Sequence, residues 1–490
     1  MINSITYFEE KCINIFEKLE DDFIKNPENF AEYVYGITDT LHKLGLEMIK
    51  DSLETMDQML CDSPQRRRNW VVDAHNAKTL TTSLGAVTFK KTLFLNKETN
   101  ERAYLLDHIM GLEPNQRLTE DATAQMLEEA VQTSYRRGGE QAGLTAGVSR
   151  QTVKNKIHSL DFPPDEHMPE QKKRVDYLYI DADEDHVALQ FREKKGDLVK
   201  AENGVKNNGL AAKIVYVYEG KEEEPLCGKR RALINCRYFC GVNNDSENLR
   251  FWDDIYHYLD SSYDLEHVKK IYLNADGGSW IKAGMKRLNG ITYVLDGFHL
   301  EKYLSRLVSH LPKKDQAQAL EELREAVRSR TKADFQQMVS RQKESLPEWR
   351  NPQRIDEAEE YILSNWMASK ARLSHKDGVM GSSTESHVSH ILSARMSSRP
   401  MGWSRQGASK MAQLRAYHAN GGSMIDLVRF QKKKEAKSSG EVEEVLSSAQ
   451  ILASEKNRHG ELGKYVESIT HSLPAQVKKK ICFSQHIWGL

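Results

Sequence analysis

Three aspartates stand at every second position of a stretch that otherwise has the pattern of a β-strand. They are Asp181, Asp183 and Asp185 in YLYIDADEDHV. Because successive side chains of a strand point to opposite faces, the three carboxylates share one face, and the apolar residues between them share the other. Carboxylates this close repel one another, so such a cluster is either solvated or able to take up a cation.

Two further acids complete a candidate metal site. Asp276 ends the predicted strand VKKIYLNAD, and Glu385 lies in the first turn of a predicted helix in GSSTESHVSHILSARM. Together with Asp183, or its rival Asp181, they give three carboxylates suited to Mg²⁺ or Mn²⁺. Two such ions activate an attacking oxygen and stabilise a leaving oxygen in phosphodiester cleavage. In a chain with 71 acidic residues, three carboxylates alone prove little, so the elements that carry them matter.

The predicted order of elements brings these acids together. Strands are predicted at 176–190, 210–218 and 231–238, followed by a helix at 246–259 and the strand that ends at Asp276. A helix near 279–288, a strand ending at Asp296 and a helix opening near His299 follow. Three strands that pair as hairpins, followed by αβαβα, predict an α/β fold of RNase H-like order, a mixed sheet flanked by helices. In that order the first and fourth strands are neighbours, so their acids converge.

The rest of the 490-residue chain divides into regions that differ in composition and in the periodicity of apolar residues. Val34, Leu41, Met48 and Leu60 belong to an amphipathic stripe of a predicted helix. We favour the interpretation that this stripe packs on its own domain. The alternative is a coiled-coil-like dimerisation arm. The predicted regions are an N-terminal helical region (1–75), a small β-hairpin module (76–117), a helix-turn-helix DNA-binding domain (118–160), a linker (161–174), the first part of the core (175–310), an all-helical insertion (311–375), the core segment with the Glu385 helix (376–420) and a polar or helical C-terminal tail (421–490).

Charge is distributed unevenly along the chain. The net charge is only −1, but residues 1–60 hold 13 acidic against 5 basic residues, whereas 131–160 hold 5 basic against 1 acidic and 366–415 hold 8 basic against 2 acidic. Nucleic-acid binding must therefore come from local patches.

Within the first basic stretch, small residues separate two short predicted helices, and Ser149 caps the second. That helix exposes side chains suited to base edges in a major groove, against the alternative of an ordinary capped surface helix. The candidate DNA-binding residues are Ser149, Arg150, Gln151, Lys154 and Asn155.

The cysteines and the hydropathy indicate a cytoplasmic protein. The sequence opens without a basic and apolar leader, and no apolar run approaches the ~18–20 residues of a membrane span. The six cysteines are expected to be reduced thiols. Cys227, Cys236 and Cys240 have a poor spacing for zinc, so packed thiols are favoured over a metal site.

Several motifs, in order, resemble those of the ISLre-type insertion-sequence transposases, bacterial DDE transposases related to the Mutator-like group. The resemblance extends from about residue 80 to 420. It is carried by SLGAVTFKKTLF, YLYIDADEDHVALQ, IYLNADGGSWIKAG, YVLDGFHLEKYL and GSSTESHVSHILSARMSSRPMGWSRQGASKM. It implies a DDE transposase whose RNase H-like core is interrupted by an all-helical insertion before the final Glu.

The resemblance also implies roles for individual residues. The first Asp falls on Asp183, because DEDHV is similar to an Asp-Gly-Thr-x-Val stretch. Glu184 and Asp185 replace the Gly and Thr, which keeps Asp181 as a rival or a supporting residue. The second Asp is Asp276 and the Glu is Glu385, and these three would be both catalytic and metal-binding, with two Mg²⁺ or Mn²⁺ ions.

A second motif of the resemblance lies after the second Asp. Asp296-x2-His299 matches the (Cys/Asp)-x2-His signature and implies a pair that supports the metal site or positions DNA near the metals, against the alternative of a strand-end acid and a helix N-terminal His. Beyond Glu385, the resemblance and the basic charge together predict phosphate contacts by Arg395, Arg399 and Arg405. Trp403 would either stack on an unpaired base or belong to the core.

The implied function is that of a DNA transposase. It would bind the terminal inverted repeats of an insertion sequence, cut a phosphodiester and direct the freed 3′-hydroxyl at target DNA. The partners would be double-stranded DNA and further copies of the chain, in the nucleoid of the cytoplasm and away from membranes. The alternatives are a helix-turn-helix regulator on an inactive nuclease scaffold and a structure-specific nuclease without strand transfer.

Overall fold

The computed structural model describes residues 2–164, 169, 171–190, 209–223, 231–243, 245–285, 290–344, 352–374, 379–380, 384–399 and 401–438. The chain forms two compact units. The first comprises Met1–Met126, Gly139–Val148 and the segment from Lys432 onwards, and the second comprises Leu127–Gly138 and Ser149–Gln431.

The first unit begins with helices, as predicted. They are α1 (Ile2–Tyr7), α2 (Ile13–Lys25), α3 (Phe30–Asp62) and α4 (Pro64–Asn69), with a π-helical turn at Phe8–Cys12. The stripe on α3 is buried only in its C-terminal half, where Leu53 and Leu60 join the core of the β-module. Val34, Leu41 and Met48 are between 43% and 53% exposed, so the expectation that the whole stripe packs on its own domain is met only in part.

A three-stranded antiparallel sheet follows, built from β1 (Trp70–Thr81), β2 (Ala86–Asn96) and β3 (Arg102–Ala103), and α5 (Leu105–Ile109) comes directly after it. The predicted β-hairpin module (76–117) omits the first half of β1, which starts inside the predicted helical region (1–75). β1 is largely exposed and contains Asp73, Asn76 and Lys78, residue types that are depleted in strands. Pairing with the strongly apolar β2 therefore decides the conformation of β1.

Three helices occupy the region predicted as helix-turn-helix. They are α6 (Glu120–Gln132), α7 (Tyr135–Glu140) and α8 (Arg150–Ser159). The break between α7 and α8 spans the predicted small residues, and α8 begins directly after Ser149, as expected from its cap.

The second unit is built on a five-stranded sheet. Its strands are β4 (Tyr177–Ala188), β5 (Gly209–Tyr218), β8 (Arg237–Gly241), β9 (Lys270–Ala275) and β10 (Ile291–Leu295), while β6 (Gly220–Glu223) and β7 (Arg231–Ile234) form a separate ribbon. The spatial order is β10-β9-β4-β5-β8. β4 pairs in parallel with β9 and antiparallel with β5, so the expectation that these distant segments are neighbours is confirmed.

One strand boundary was predicted incorrectly. The expected strand at 231–238 is two strands, because Asn235 adopts a left-handed backbone with φ of 50° and breaks the run. The third strand of the main sheet is therefore β8, which pairs with β5 from Lys213 opposite Gly241 to Val217 opposite Arg237.

Helices cover the sheet and extend the unit. They are α9 (Asp245–Ser262), α10 (Ser279–Met285), α11 (Gly297–Val308), α12 (Lys313–Ser329), α13 (Lys332–Glu344), α14 (Gln353–Ser364), α15 (Trp366–Ser374), α16 (Thr384–Val388), α17 (Ala394–Met396), α18 (Arg405–Ala419) and α19 (Met424–Ser438). The apolar face of β4, with Leu178 and Ile180, packs against Trp252 and Ile255 of α9, all fully buried or nearly so. Each such side chain contributes roughly 1.5–3 kcal/mol when buried.

The predicted all-helical region at 311–375 consists of α12 to α15. Together with α11 these helices enclose a core of their own, which includes Leu304, Leu323, Phe335 and Ile362. The predicted tail at 421–490 begins with α19, and residues 439–490 lie outside the described residues. None of the described helices is both long and apolar enough to span a membrane. The second unit is thus a mixed sheet flanked by helices.

Candidate functional site

The strand register brings two of the predicted acids to the same level. Ala182 of β4 lies opposite Ala275 of β9 in a parallel pair, and the next residue on each strand is Asp183 and Asp276. β9 pairs in the same way with β10, where Leu295 lies opposite Ala275 and Asp296 follows. Three acids therefore follow one another across three neighbouring parallel strands, at the sheet edge where ligands commonly bind in α/β folds.

Helix α16 carries Glu385 and lies on the face of the sheet that bears the tyrosines of β5 and β8. Thr384 is hydrogen-bonded to the Tyr216 hydroxyl. The Tyr238 hydroxyl lies 2.8 Å from Nδ1 of His387, whose ring centroid is 4.5 Å from that of Tyr216. Burial lowers the pKa of His387 to about 4, so this contact is made by a neutral imidazole. Glu385, next to Thr384, is exposed.

The three acids form one electrostatic neighbourhood. Burial, together with the negative charges of Asp276 and Glu385, raises the pKa of Asp183 to about 7, against the opposing effects of the Glu184 N–H and the positive charge of His299. No described Lys or Arg forms an ion pair with Asp183, Asp276 or Glu385. The cluster therefore carries negative charge that no Lys or Arg within the described ranges neutralises.

The donor set fits a hard divalent cation, but its spacing is not that of a formed metal site. Within the described parts of the chain, no three His, Cys, Asp or Glu side chains are grouped closely enough to hold a metal ion as they stand. Oδ1 of Asp183 accepts from the Glu184 N–H (2.8 Å), and Oδ1 of Asp276 accepts from the Gly278 N–H (3.0 Å). Each carboxylate keeps an oxygen without these bonds, and that oxygen can accept from or coordinate a further group.

Asp181 is in a different environment from Asp183, although both lie on the same face of β4. It is fully buried and accepts hydrogen bonds from Tyr216 (2.7 Å), Tyr218 (3.4 Å) and the Asn274 amide (2.6 Å). Burial raises the pKa of its carboxyl, and the hydrogen bonds from Asn274 and Tyr216 oppose that rise in part. Its oxygens are occupied by protein donors, which supports Asp183 rather than Asp181 as the first acid of the site.

Sequence reasoning missed the arginine that links the helical region to this network. Arg372 at the end of α15 donates to Oδ1 of Asn274 (2.6 Å) and to the backbone carbonyls of Leu295 (2.7 Å) and Met380 (2.9 Å). It therefore joins the strands that precede Asp276 and Asp296. The tyrosines opposite Asp181 were visible as the alternating VYVY of β5, but no local pattern distinguishes Arg372 from other helix arginines.

Asp296 and His299 form the predicted pair beside the acids. Oδ2 of Asp296 accepts from the backbone N–H of His299 and lies 3.1 Å from Nδ1 of the same residue. Asp296 therefore both caps the N-terminus of α11 and fixes the orientation of the His299 ring. The hydrogen bond to Asp296 raises the pKa of His299, and the charges of Asp296, Asp276 and Asp183 add to the effect. The raised pKa favours the protonated form of His299, whose positive charge faces the acidic cluster.

The turn after Asp276 is held from the helical region. The Tyr361 hydroxyl of α14 donates to the backbone carbonyl of Asp276, and the Tyr361 ring stacks on Tyr303 with centroids 3.8 Å apart. Gly277 has a φ of 102°, and a Cβ at this position would lie 2.9 Å from the Asn365 side chain. The turn after Asp276 therefore requires glycine at this position.

The α8 surface has the predicted character. The Ser149 hydroxyl accepts from the Thr152 N–H (3.2 Å), and Val153 and Ile157 are fully buried. Arg150, Gln151, Lys154 and Asn155 are all exposed. The Gln151 amide donates to the Asn155 side chain (2.8 Å). The two side-chain amides that were expected to face bases are therefore hydrogen-bonded to each other.

Two of the residues predicted to contact DNA are buried instead. Arg395 is 4% exposed, donates to the Ala130 carbonyl (3.0 Å) and stacks on Tyr135 and Trp403. Trp403 is 5% exposed and donates to the Met396 carbonyl (2.9 Å). The structure thus corrects the prediction for Arg395 and favours the core alternative for Trp403, because the segment after α17 folds back and pairs with the end of β4.

The other predicted residues of this stretch keep their exposure. Arg399 and Arg405 are exposed, Arg405 as the first residue of α18. The cysteine prediction also agrees with a packed role where the structure describes it: Cys236 and Cys240 are free thiols, and burial raises the pKa of Cys236 to about 12. Cys227 lies outside the described residues.

Comparison of the sequence with known proteins identifies the family to which the chain is similar. Residues 23–434 match the model of an uncharacterised protein family, UPF0236. A UPF0236 protein of Caldanaerobacter subterraneus subsp. tengcongensis is 32% identical over 427 residues, which cover 87% of this chain and 85% of the relative. A second UPF0236 protein of that organism is 33% identical with the same coverage.

Among solved structures, the chain is similar to one in the "Drosophila P element transposase strand transfer complex". The match covers 66% of this chain and 82% of the other, at 12% identity, and its TM-score of 0.23 is too low to show a common fold. The family match has no such weakness, since it spans most of the chain, including β4, β9 and α16. The chain therefore belongs to the UPF0236 family.

Proposed function

We propose that this protein is a DNA transposase of an insertion sequence, with an RNase H-like core and a DDE triad of Asp183, Asp276 and Glu385. The observation that carries the proposal is the coupling of these three acids. They come from β4, from the end of β9 and from α16, yet both other charges raise the pKa of Asp183. The strand order β10-β9-β4-β5-β8, with an antiparallel β4–β5–β8 half and a parallel β4–β9–β10 half, supports the RNase H-like assignment.

Each group near the triad has a role in this proposal. The three carboxylates would hold two Mg²⁺ or Mn²⁺ ions, which supply charge stabilisation to the attacking and leaving oxygens of a phosphodiester. Asp181 and Asn274 fix the strands that carry Asp183 and Asp276. The pair of Asp296 and His299 would orient a phosphate beside the acids, since a cationic imidazole attracts its oxygens.

The DNA contacts would come from α8 and from exposed arginines. The face of α8 with Arg150, Gln151, Lys154 and Asn155 would read the terminal inverted repeats, after the Gln151–Asn155 bond opens to the bases. Arg399 and Arg405 would contact backbone phosphates, which positions DNA without reading its sequence. The protein would act in the cytoplasm, on the DNA of the nucleoid.

Cleavage of a plasmid that carries the DNA flanking the gene tests the catalytic proposal. We expect the purified chain to nick it in Mg²⁺ and to join the ends to a second plasmid, and we expect Asp276→Asn to lose about 10³-fold or more of the cleavage rate. Asp176→Asn is the matched control, because Asp176 precedes β4 at the opposite end of the same sheet and pairs with Lys269. Equal cleavage by wild type and Asp276→Asn would exclude this triad.

The same assay separates the two alternatives. A regulator on an inactive scaffold would bind the plasmid ends and cut none of them in any divalent metal. A nuclease without strand transfer would cut, but it would not join pre-cut ends with free 3′-hydroxyls to a target. Joined product from pre-cut ends is specific to a transposase.

We further propose that two copies associate through α3. Holding two DNA ends needs at least two protomers. Val34, Leu41 and Met48 are exposed at intervals of seven residues, the spacing at which a second identical helix inserts its own side chains. Residues 1–60 carry a net charge of −8, which would repel DNA from this surface, so DNA is a poor occupant for it.

A further inference from the structure

The β-module of the first unit contains a cationic cleft that the α8 surface and the triad do not use. It has a volume of about 780 Å³ and lies between β1, β2, β3 and the segment from α5 to Arg117. Its lining includes Lys78, Lys91, Arg102 and Arg117, whereas Asp107 is its one acidic lining residue among those that the structure describes. With histidines neutral, the cleft has an excess of three positive charges.

Two lysines in this cleft share one carboxylate. The ammonium groups of Lys78 (2.9 Å) and Lys91 both contact Oδ2 of Asp107, and both side chains are 10% exposed or less. Lys91 also lies over the Tyr104 ring, 3.5 Å from its centroid. Two desolvated cations on one anion leave one charge uncompensated, and such a charge is costly in a protein interior unless a further anion approaches it.

The electrostatics of Lys91 agree with this arrangement. Burial lowers the pKa of Lys91, Asp107 opposes that effect, and the nearby Lys78 adds to it. An additional anion would favour the charged form of Lys91. Oδ1 of Asp107 is buried and has no hydrogen-bond partner among the described residues, so a hydroxyl or water accompanying the anion would find an acceptor there.

The outer part of the cleft extends the positive charge toward solvent. Arg102 has a side chain 63% exposed and pairs with Asp73, and Arg117 is exposed. A single small anion would satisfy only the two lysines. Cations distributed from the floor to the rim match a row of phosphates along a nucleic-acid backbone.

We propose that the cleft lined by Lys78, Lys91, Arg102 and Arg117 is a second DNA-binding site, which holds backbone phosphates without reading sequence. The inference rests on the proposed function and deepens it, because it assigns the β-module to non-specific DNA contacts, in addition to the reading of the repeats assigned to α8. It does not depend on catalysis, so it is tested without divalent metal.

The test is the binding of the full-length chain to a fluorescein-labelled 30-base-pair duplex without repeat sequences, in EDTA, over a range of NaCl concentrations. The variants are Lys91→Gln and Arg117→Gln. The matched control is Lys90→Gln, because Lys90 is the exposed neighbour of Lys91 and points to the other face of β2. Arg117→Gln keeps the test valid if Lys91→Gln folds poorly, because Arg117 is at the surface.

We expect Lys91→Gln and Arg117→Gln each to weaken binding roughly fivefold to thirtyfold and to reduce the slope of log K against log salt by about one. Lys90→Gln should stay within about twofold of wild type. Equal effects of all three variants, or none, would overturn the proposal.

A second arm uses inorganic phosphate and thermal unfolding. If millimolar phosphate stabilises wild type but not Lys91→Gln, while duplex binding is the same in both, the cleft binds a free anion and the DNA assignment is wrong. Loss of duplex binding by the cleft variants together with normal cleavage by the triad would support both proposals. Weakened duplex binding in a chain that never cleaves DNA would support the cleft and reject the triad.

Discussion

At the scale of single residues, position on the strand does not decide the role of an aspartate, but its neighbours do. Asp181 and Asp183 lie two residues apart on one face of β4. The first is enclosed by two tyrosines and an asparagine amide, and the second faces Asp276 and Glu385. The alternation of acids was predictable from sequence. The hydrogen bonds from Tyr216 and Tyr218 to Asp181 were not predictable, because they depend on the pairing of β4 with β5.

The raised pKa of Asp183 gives a pH-dependent prediction. An aspartate whose pKa rises on folding destabilises the protein as pH rises above its unfolded value of about 3.9, and the effect is complete above the folded value of about 7. We expect Asp183→Asn to stabilise the metal-free protein at pH 8 by on the order of a few kcal/mol, and by less at pH 5.

Thermal unfolding in EDTA at the two pH values measures this difference. Addition of Mg²⁺ is the control, since it should raise the Tm of wild type at pH 8 and leave that of Asp183→Asn almost unchanged. A Tm shift of the same size at pH 5 and pH 8 would mean that the raised pKa is not the cause.

At the scale of elements, helices distant in sequence hold the strand ends that carry the acids. Arg372 of α15 bonds to the ends of β9 and β10, and Tyr361 of α14 bonds to the turn after Asp276. The helical character of this region was predictable from its charge pattern and apolar spacing. Its contacts with the strand ends were not, because their partners are backbone carbonyls that no side-chain pattern marks.

Tyr361→Phe tests this support. The change keeps the stacking on Tyr303 but removes the donor to the Asp276 carbonyl, a hydrogen bond worth about 0.5–1.5 kcal/mol. We expect a roughly twofold to tenfold lower cleavage rate, about what that free energy predicts when it serves to position Asp276. Tyr303→Phe keeps the same ring pair and should cleave like wild type. A normal rate for Tyr361→Phe would show that the turn keeps its geometry without this bond.

Strand prediction succeeded or failed for a physical reason. β4 and β5 alternate or are strongly apolar, so their burial decides their conformation locally. β1 is mostly exposed and polar, and it is a strand because β2 offers it eleven register pairs. The prediction for Arg395 was likewise wrong, and Trp403 follows its core alternative, since charge and aromaticity indicate a DNA contact only when the side chain reaches solvent.

At the scale of the whole molecule, exposed apolar side chains are concentrated in the N-terminal helices, which include the exposed part of α3. Nine of the seventeen exposed large hydrophobic side chains among the described residues lie between Ile5 and Met48. Monomeric proteins rarely group such side chains, whereas interfaces do. The seven-residue spacing of Val34, Leu41 and Met48 was visible in the sequence. Their exposure to solvent was not, because it depends on how far along α3 the β-module packs.

Leu41→Lys tests the dimer. Leu41 is 53% exposed, so the change should leave the fold intact while placing a charge in the middle of the seam. We expect at least a tenfold weaker self-association by sedimentation and loss of joined product. Met367→Lys, on an exposed methionine of α15, is the control and should associate normally. A wild-type chain that is monomeric with and without paired DNA ends would exclude this seam.

The position of Glu385 also bears on how the protein is made. About two hundred residues separate it from Asp183, and every strand of the sheet is translated before it. A ribosome-bound chain that has already folded its sheet would therefore still lack the third carboxylate. If the triad acts as proposed, the ability to cut DNA arises only near the end of synthesis, and a prematurely terminated chain that ends before α16 would be harmless to the genome that encodes it.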